Sequence, residues 1–215
     1  MIINQFNIYM RSMERFVDEL SSNNHVPGGG CVAAVSSVFG QALVLMVANF
    51  TKGKEKYKDV QPLVDEVIKL GNYYLKMLKK FSIKDMDAYN DLTWAYRMSK
   101  VTEEERAERD RAIRKNTIRA LAYPYAVVLF TDKAMDLLYQ IYDKFNKNLV
   151  SDCGVACKMF EAAATSAYLN VLVNEKAISK NGEMKKTKQV EVMLERIKER
   201  ADIIYNYTLK SINKK

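Results

Sequence analysis

HVPGGGCVAAVSSVFGQALVLMVANFT, residues 25–51, is the stretch on which the fold turns. It contains no Asp, Glu, Lys or Arg, and beyond the glycines it reads as one helix too apolar to keep a solvated face. Its length admits a membrane span, which takes about 20 mostly apolar residues. Ser36, Ser37, Gly40, Gln41 and Asn49 interrupt it, however, and its longest apolar run is only Ala42 to Ala48. The expectation is a central helix buried among others, and no membrane partner. Its small residues Ala33, Ala34, Ser36, Ser37 and Gly40 let neighbouring helices approach closely, and the same surface is suited to self-association.

Helical spacing continues on both sides of this segment. Val60, Leu63, Val64, Val67, Gly71, Tyr74, Leu75 and Leu78 fall at the i, i+3, i+4, i+7 positions of a packed helix, and Val190, Leu194, Ile197, Ala201, Ile204, Tyr205 and Leu209 repeat the pattern. Thr102 with Glu105 predicts a capping box, and Glu103 and Glu104 suit the positive end of a helix dipole. The helix beginning there is expected to reach about Tyr142, kinked or interrupted at Pro124, because proline removes a donor and clashes with the preceding turn. Ser151 or Asp152 reads as the N-cap of a helix running to about Ala177, and Asn181-Gly182 as a break before the last helix. No stretch alternates with the period of two that a strand needs. The expected fold is all-α: a single-domain antiparallel helical bundle of about six helices spanning residues 1–215.

Composition narrows the class further. With 215 residues, 48% hydrophobic and 28% charged, the chain can bury about 70% of its unfolded surface without staples. Three cysteines fit a reducing compartment rather than a disulfide framework, and the start, MIINQFNIYM, lacks the basic and apolar regions of a secretory leader. A cytoplasmic location is expected. The net charge is +8, of which residues 180–215 supply +5 through ten Lys/Arg against five Asp/Glu. That concentration reads as a solvated helical face with a lysine tail. No RNP-like, zinc-finger or basic-region motif supports nucleic acid as a partner. Walker, Rossmann, HExxH and GxSxG motifs are also absent from the sequence. Cys153 and Cys157 share a helix face but have no further ligands nearby, so they read as small buried thiols and no metal site is expected.

Pro27-Gly28-Gly29-Gly30 leads directly into the apolar helix. Three glycines leave backbone N–H groups bare at a helix N-terminus, where the dipole favours an anion or an electron-rich ring edge; a tight turn into a crowded core would use the same residues. The run PGGGCVAA (27–34), followed by MVANFTKGKEKY (46–57), resembles the signature of the formiminotetrahydrofolate cyclodeaminase family, which includes stand-alone methenyltetrahydrofolate cyclohydrolases. Further matches follow in order. Asp85-Met86-Asp87-Ala88-Tyr89 resembles the family's D-x-x-A-[FY] step and is followed by Ala95-Tyr96-Arg97. TEEER with Arg109 resembles its acidic helix start, and Pro124 its mid-helix proline. Asn146-x-Asn148-x-x-Ser151-Asp152 resembles its N-x-N-x-x-S-D turn, and Asn170-Val171-x-x-Asn174 its N-V-x-x-N helix. The resemblance covers about residues 10–178. The chain departs from the family pattern at His25 and Val26, where small hydroxyl residues are usual, at Cys31 (commonly serine), Ser37 (commonly glycine) and Ser99 (commonly proline).

The resemblance implies an all-helical domain, usually a homodimer, acting on a reduced folate that is often polyglutamylated, with no metal or redox cofactor. One activity closes 5-formiminotetrahydrofolate to 5,10-methenyltetrahydrofolate with loss of ammonia, and this ranks first. The alternative is the cyclohydrolase, which opens or closes the same ring with water. A non-catalytic folate-binding helical dimer is the rival from another class. Both reactions pass through a tetrahedral carbon between N5 and N10 and need groups that move protons. With one histidine in the chain, carboxylates are the candidates: Asp152 in the S-D step and Asp85. Gly28, Gly29, Gly30 and Cys31 are expected at the substrate. Lys54 and Lys56 suit the glutamate tail as point charges. Asn146, Asn148, Ser151, Asn170 and Asn174 suit a pterin edge, and Asn170 and Asn174 share a helix face. Arg97 suits a carboxylate or a solvated surface equally, and His25 reads as a loop residue.

Overall fold

The computed structural model describes residues 7–179 and 184–214, so the expected break at Asn181-Gly182 lies outside the described residues. Among them the chain forms six α-helices and no strand: α1 Met13–Ser21, α2 Gly29–Thr51, α3 Gln61–Arg97, α4 Glu103–Ile141, α5 Val150–Ile178 and α6 Lys185–Asn213. Short 3-10 turns at Ile8–Met10, Glu55–Val60 and Lys147–Leu149 join them.

The helix ends have identifiable local causes. Thr102 and Glu105 form the expected capping box at α4, and Glu105 Oε2 also accepts from the Ser99 hydroxyl at 2.6 Å and from the Val101 amide at 2.8 Å. Ser99 thereby ties the end of α3 into the α4 cap. The α5 cap differs from expectation. Asn146 Oδ1 accepts from the Asn148 amide at 3.2 Å and winds the chain into a 3-10 turn, so Leu149 becomes the cap and Ser151 and Asp152 lie inside the first turn. At α6 the cap comes from another helix. The buried Glu175 carboxylate of α5 accepts from the Lys186 amide at 2.8 Å and the Thr187 amide at 2.6 Å, taking up two of the donors a helix start leaves orphaned.

Helices α2, α3, α4 and α5 each pack on the next and close into a square, and α6 lies across α4 and α5. Val44, Val64, Val67, Met135, Leu138, Phe160, Ile197 and Ile204 fill the core, all fully or nearly fully buried. Small residues set the spacing, as expected. A Cβ on Gly40 would lie 2.8 Å from the Phe160 ring, so only glycine admits this approach of α5 to α2. α2 is long and apolar enough to cross a membrane, yet most of it is enclosed by its neighbours. α4 runs unbroken through the buried Pro124, against the expected interruption. Packing against α3 and α5 on either side outweighs the one backbone bond the proline removes.

One face of α2 stays uncovered. Val32, Ser36, Phe39, Leu43, Met46 and Phe50 recur along it at helical spacing, with Phe39 43% and Phe50 54% exposed. On α5, Val155, Leu169 and Val173 are each more than half exposed.

Candidate active site

At the N-terminal end of α2 the square opens into a cavity of about 410 Å³, within the usual range for a small-molecule site. α2 supplies Gly28, Gly29 and Gly30. Asp85, Tyr89, Leu92 and Tyr96 come from one face of α3, Thr117 and Ala120 from α4, and Asn170, Val173, Asn174 and Ala177 from α5.

Gly28 caps α2 without any side-chain bond, and the first intrahelical donor is Val32, which reaches the Gly28 carbonyl at 3.0 Å. The amides of Gly29, Gly30 and Cys31 are therefore bare at the positive end of a long, buried helix. A Cβ on Gly29 would meet nothing within 4 Å, whereas one on Gly30 would lie 2.9 Å from Asp85 Cγ and closer still to Oδ2. Glycine at position 30 is thus what lets the carboxylate lie on the helix start. Among the described residues Asp85 is the only acidic one in the cavity lining. Burial pushes its carboxyl up to about 6 from an ordinary 3.8, into the range where a carboxylate can both take and return a proton near neutrality.

The two asparagines are held differently. Asn174 Nδ2 donates across to the Ala120 carbonyl of α4 at 3.1 Å, and Asn170 Nδ2 donates within α5 to the Ser166 carbonyl at 3.4 Å. At the rim, Arg97 Nη2 lies 3.3 Å from His25 Nε2. A guanidinium only donates, so in this contact Arg97 is the donor. Arg97 bonds no carboxylate among the described residues.

The expected site residues fall into two groups. Gly28, Gly29, Gly30, Asp85, Asn170 and Asn174 meet in the cavity. Cys31 does not line it: the thiol is completely buried beneath, against Ile8, Val35 and Met86, and burial followed by the Asp85 charge raises it to about 12. Lys54, Lys56, Asn146, Asn148, Ser151 and Asp152 gather at the other end of α2. There the Asn146 amide donates to Thr51 Oγ1 at 3.1 Å and the Lys147 amide to the Tyr57 hydroxyl at 3.3 Å. α2 is 23 residues long, so roughly 30 Å separates the groups within one chain. Cys153 and Cys157 are buried, and no cluster of three or more His, Cys, Asp or Glu among the described residues is placed to hold a metal. Sequence reasoning missed His25, set aside as a loop residue, and Tyr89, Leu92 and Tyr96 as lining residues, although the spacing of these three from Asp85 puts all four on one face of α3.

Comparison with known proteins places this architecture. The formiminotransferase-cyclodeaminase family matches residues 12–195. A methenyltetrahydrofolate cyclohydrolase of Methylorubrum extorquens is 36% identical over 167 residues, 78% of this chain and 80% of that protein. The formimidoyltransferase-cyclodeaminase of Rattus norvegicus is 27% identical over 194 residues, 90% of this chain but 36% of that protein, so the chain spans about a third of the bifunctional relative. The crystal structure of formiminotetrahydrofolate cyclodeaminase from Thermotoga maritima superposes with a TM-score of 0.77 at 26% identity, covering 96% of this chain and 98% of that one.

Proposed function

The chain belongs to the formiminotransferase-cyclodeaminase family, and from that premise we propose that it is an enzyme of folate one-carbon metabolism that makes or opens the methenyl bridge between N5 and N10 of tetrahydrofolate. The observation that carries this reading is Asp85, a carboxylate held near pH 6 beside the bare backbone amides of Gly29 and Gly30 in a cavity of ligand size. Likeness to a stand-alone cyclohydrolase over four-fifths of its length favours water as the second reactant. Full-length likeness to a solved cyclodeaminase keeps ammonia loss as the second reading.

In the hydrolytic direction the cationic methenyl carbon sits beside ionised Asp85, which attracts it and takes a proton as water adds. The adduct hydroxyl then loses its proton to solvent and its oxygen forms the carbonyl as the C–N5 bond breaks and the protonated carboxyl returns its proton to N5, leaving a formyl group on N10. The α2 amides face the oxygen that gains charge. In the cyclodeaminase direction N10 attacks the formimino carbon and the same carboxyl serves the departing ammonia. Neither route calls on a metal or redox cofactor. Asn170 and Asn174 suit the pterin edge, and Arg97 suits the glutamate carboxylate at the rim.

A homodimer belongs to this reading. The uncovered, uncharged α2 stripe supports a second copy packed against it. If the two α2 helices ran antiparallel about their midpoints, Lys54, Lys56, Asn148 and Asp152 of each copy would approach the cavity of the other. The polar end of one copy would then complete the site of the other, with Asp152 as the second proton-handling group. The deciding assay supplies purified protein with 5,10-methenyltetrahydrofolate and, separately, 5-formiminotetrahydrofolate. Faster loss of the methenyl absorbance establishes the cyclohydrolase, and its appearance with ammonia the cyclodeaminase. Enzyme-free rates in both would overturn the catalytic reading.

A further inference from the structure

Pro124 and Asn174 are the two residues that the sequence leaves hardest to explain, a proline inside a long helix and an amide inside another. They meet at one atom. The backbone N–H that Pro124 lacks is the one that would have bonded the carbonyl of residue 120, and the Ala120 carbonyl is the group to which Asn174 Nδ2 donates at 3.1 Å. Proline acts on that carbonyl twice: it withholds the usual donor, and its ring pushes the i−4 carbonyl out of line with the helix axis. The carbonyl then finds its partner across the α4–α5 interface, at the wall of the cavity that Ala120 and Asn174 both line.

We infer that Pro124 is a positioning residue for the substrate site, acting through the Ala120 carbonyl to fix the orientation of the Asn174 carboxamide. A carbonyl oxygen only accepts, so the nitrogen of Asn174 must face it and the oxygen must face away. Asn174 Oδ1 bonds nothing among the described residues. Asn170, one turn earlier, likewise commits its nitrogen to a carbonyl, that of Ser166. The cavity wall therefore presents two amide oxygens as acceptors, matched to a ligand edge that offers ring N–H and amino donors, as the pyrimidine half of a reduced pterin does. With a free amide, half the orientations would present a donor to those donors.

The inference rests on the folate reading for its ligand but not for its geometry, and two measurements separate them. In Pro124→Ala the restored N–H competes for the Ala120 carbonyl. Alanine favours the helix, so the variant should melt no lower than wild type. The Asn174 side-chain amide protons, protected in wild type, should exchange faster in it by NMR. Affinity for 5,10-methenyltetrahydrofolate should fall roughly two- to tenfold, and that loss should vanish when Pro124→Ala is made in an Asn174→Ala background. Unchanged Asn174 exchange, or the same affinity loss with and without Asn174, overturns the inference. Wild-type protein that binds no folate overturns the ligand reading, while the exchange measurement still decides whether Pro124 sets the amide.

Discussion

Gly30→Ala tests the site where its geometry is tightest. The new methyl would lie 2.9 Å from Asp85 Cγ and Oδ1 and nearer to Oδ2. Ordinary contacts of this kind are 3.4–4 Å, so the carboxylate must retreat by roughly 1 Å, a misplacement that costs about 100-fold in rate. The fold itself loses nothing by the change, because alanine is the better helix former by about 0.5–1 kcal/mol and Gly30 already lies within α2. The expected result is kcat down about 100-fold with the melting temperature held or raised, followed through the methenyl absorbance under saturating substrate. Asp85→Asn alone should lose roughly 10²–10⁴-fold. If Gly30 acts by seating that carboxylate, adding Gly30→Ala to Asp85→Asn should lower the rate little further. Wild-type turnover in Gly30→Ala, or a full second loss in the double variant, would refute the argument that glycine serves Asp85.

Four further outcomes follow from the same structure. Because burial holds Asp85 near 6, kcat/KM should fall about tenfold per unit as pH drops below 6, and Asp85→Asn should abolish that limb. The native carboxyl titrates above its unfolded value of 3.8, so between the two the native state binds the extra proton and wild-type stability declines as pH rises through that window; Asp85→Asn should therefore be more stable at pH 7, by on the order of 1–3 kcal/mol, with the gain gone below pH 4 in urea titrations. If dimers share sites across α2, mixing inactive Asp85→Asn and Asp152→Asn protomers should restore about a quarter of wild-type activity, since half the dimers are mixed and each holds one intact site; no recovery with proven subunit exchange would place Asp152 outside the site. Glu175→Ala should destabilise the protein by about 1–3 kcal/mol in thermal melts without changing KM, because it orphans the half-buried Lys186 amide and the buried Thr187 amide at the start of α6.

The helical architecture was legible because hydrophobic spacing and end chemistry speak for themselves. Thr102 with Glu105 named its own helix start, and the charge-free segment 29–51 pointed to a helix enclosed over most of its surface. The α5 start was not, because the side chain of Asn146 closes a 3-10 turn ahead of the residues that look like caps. The site was half legible. Asp85 and Asp152 are equal as letters, each in a motif and each an acid in a helix. Position along α2 separates them: Asp85 lies near the glycine end and Asp152 near the lysine end, a consequence of antiparallel packing rather than of local sequence.

Asn174 and Pro124 mark the limit more sharply. Each breaks a local rule, and local rules read each as a defect: a proline that should end a helix, and an amide with poor helix propensity. Their meaning lies in the register of α4 against α5, which sets the Ala120 carbonyl opposite Asn174 across 54 residues of chain. One sequence carries no trace of that register, because the hydrophobic pattern of either helix would tolerate a one-turn slip. A slip would leave the Ala120 carbonyl unpaired at the cavity wall, at about 1–3 kcal/mol. Two residues that look like flaws within their own helices thus help to specify how those helices pack, and the same packing shapes the pocket.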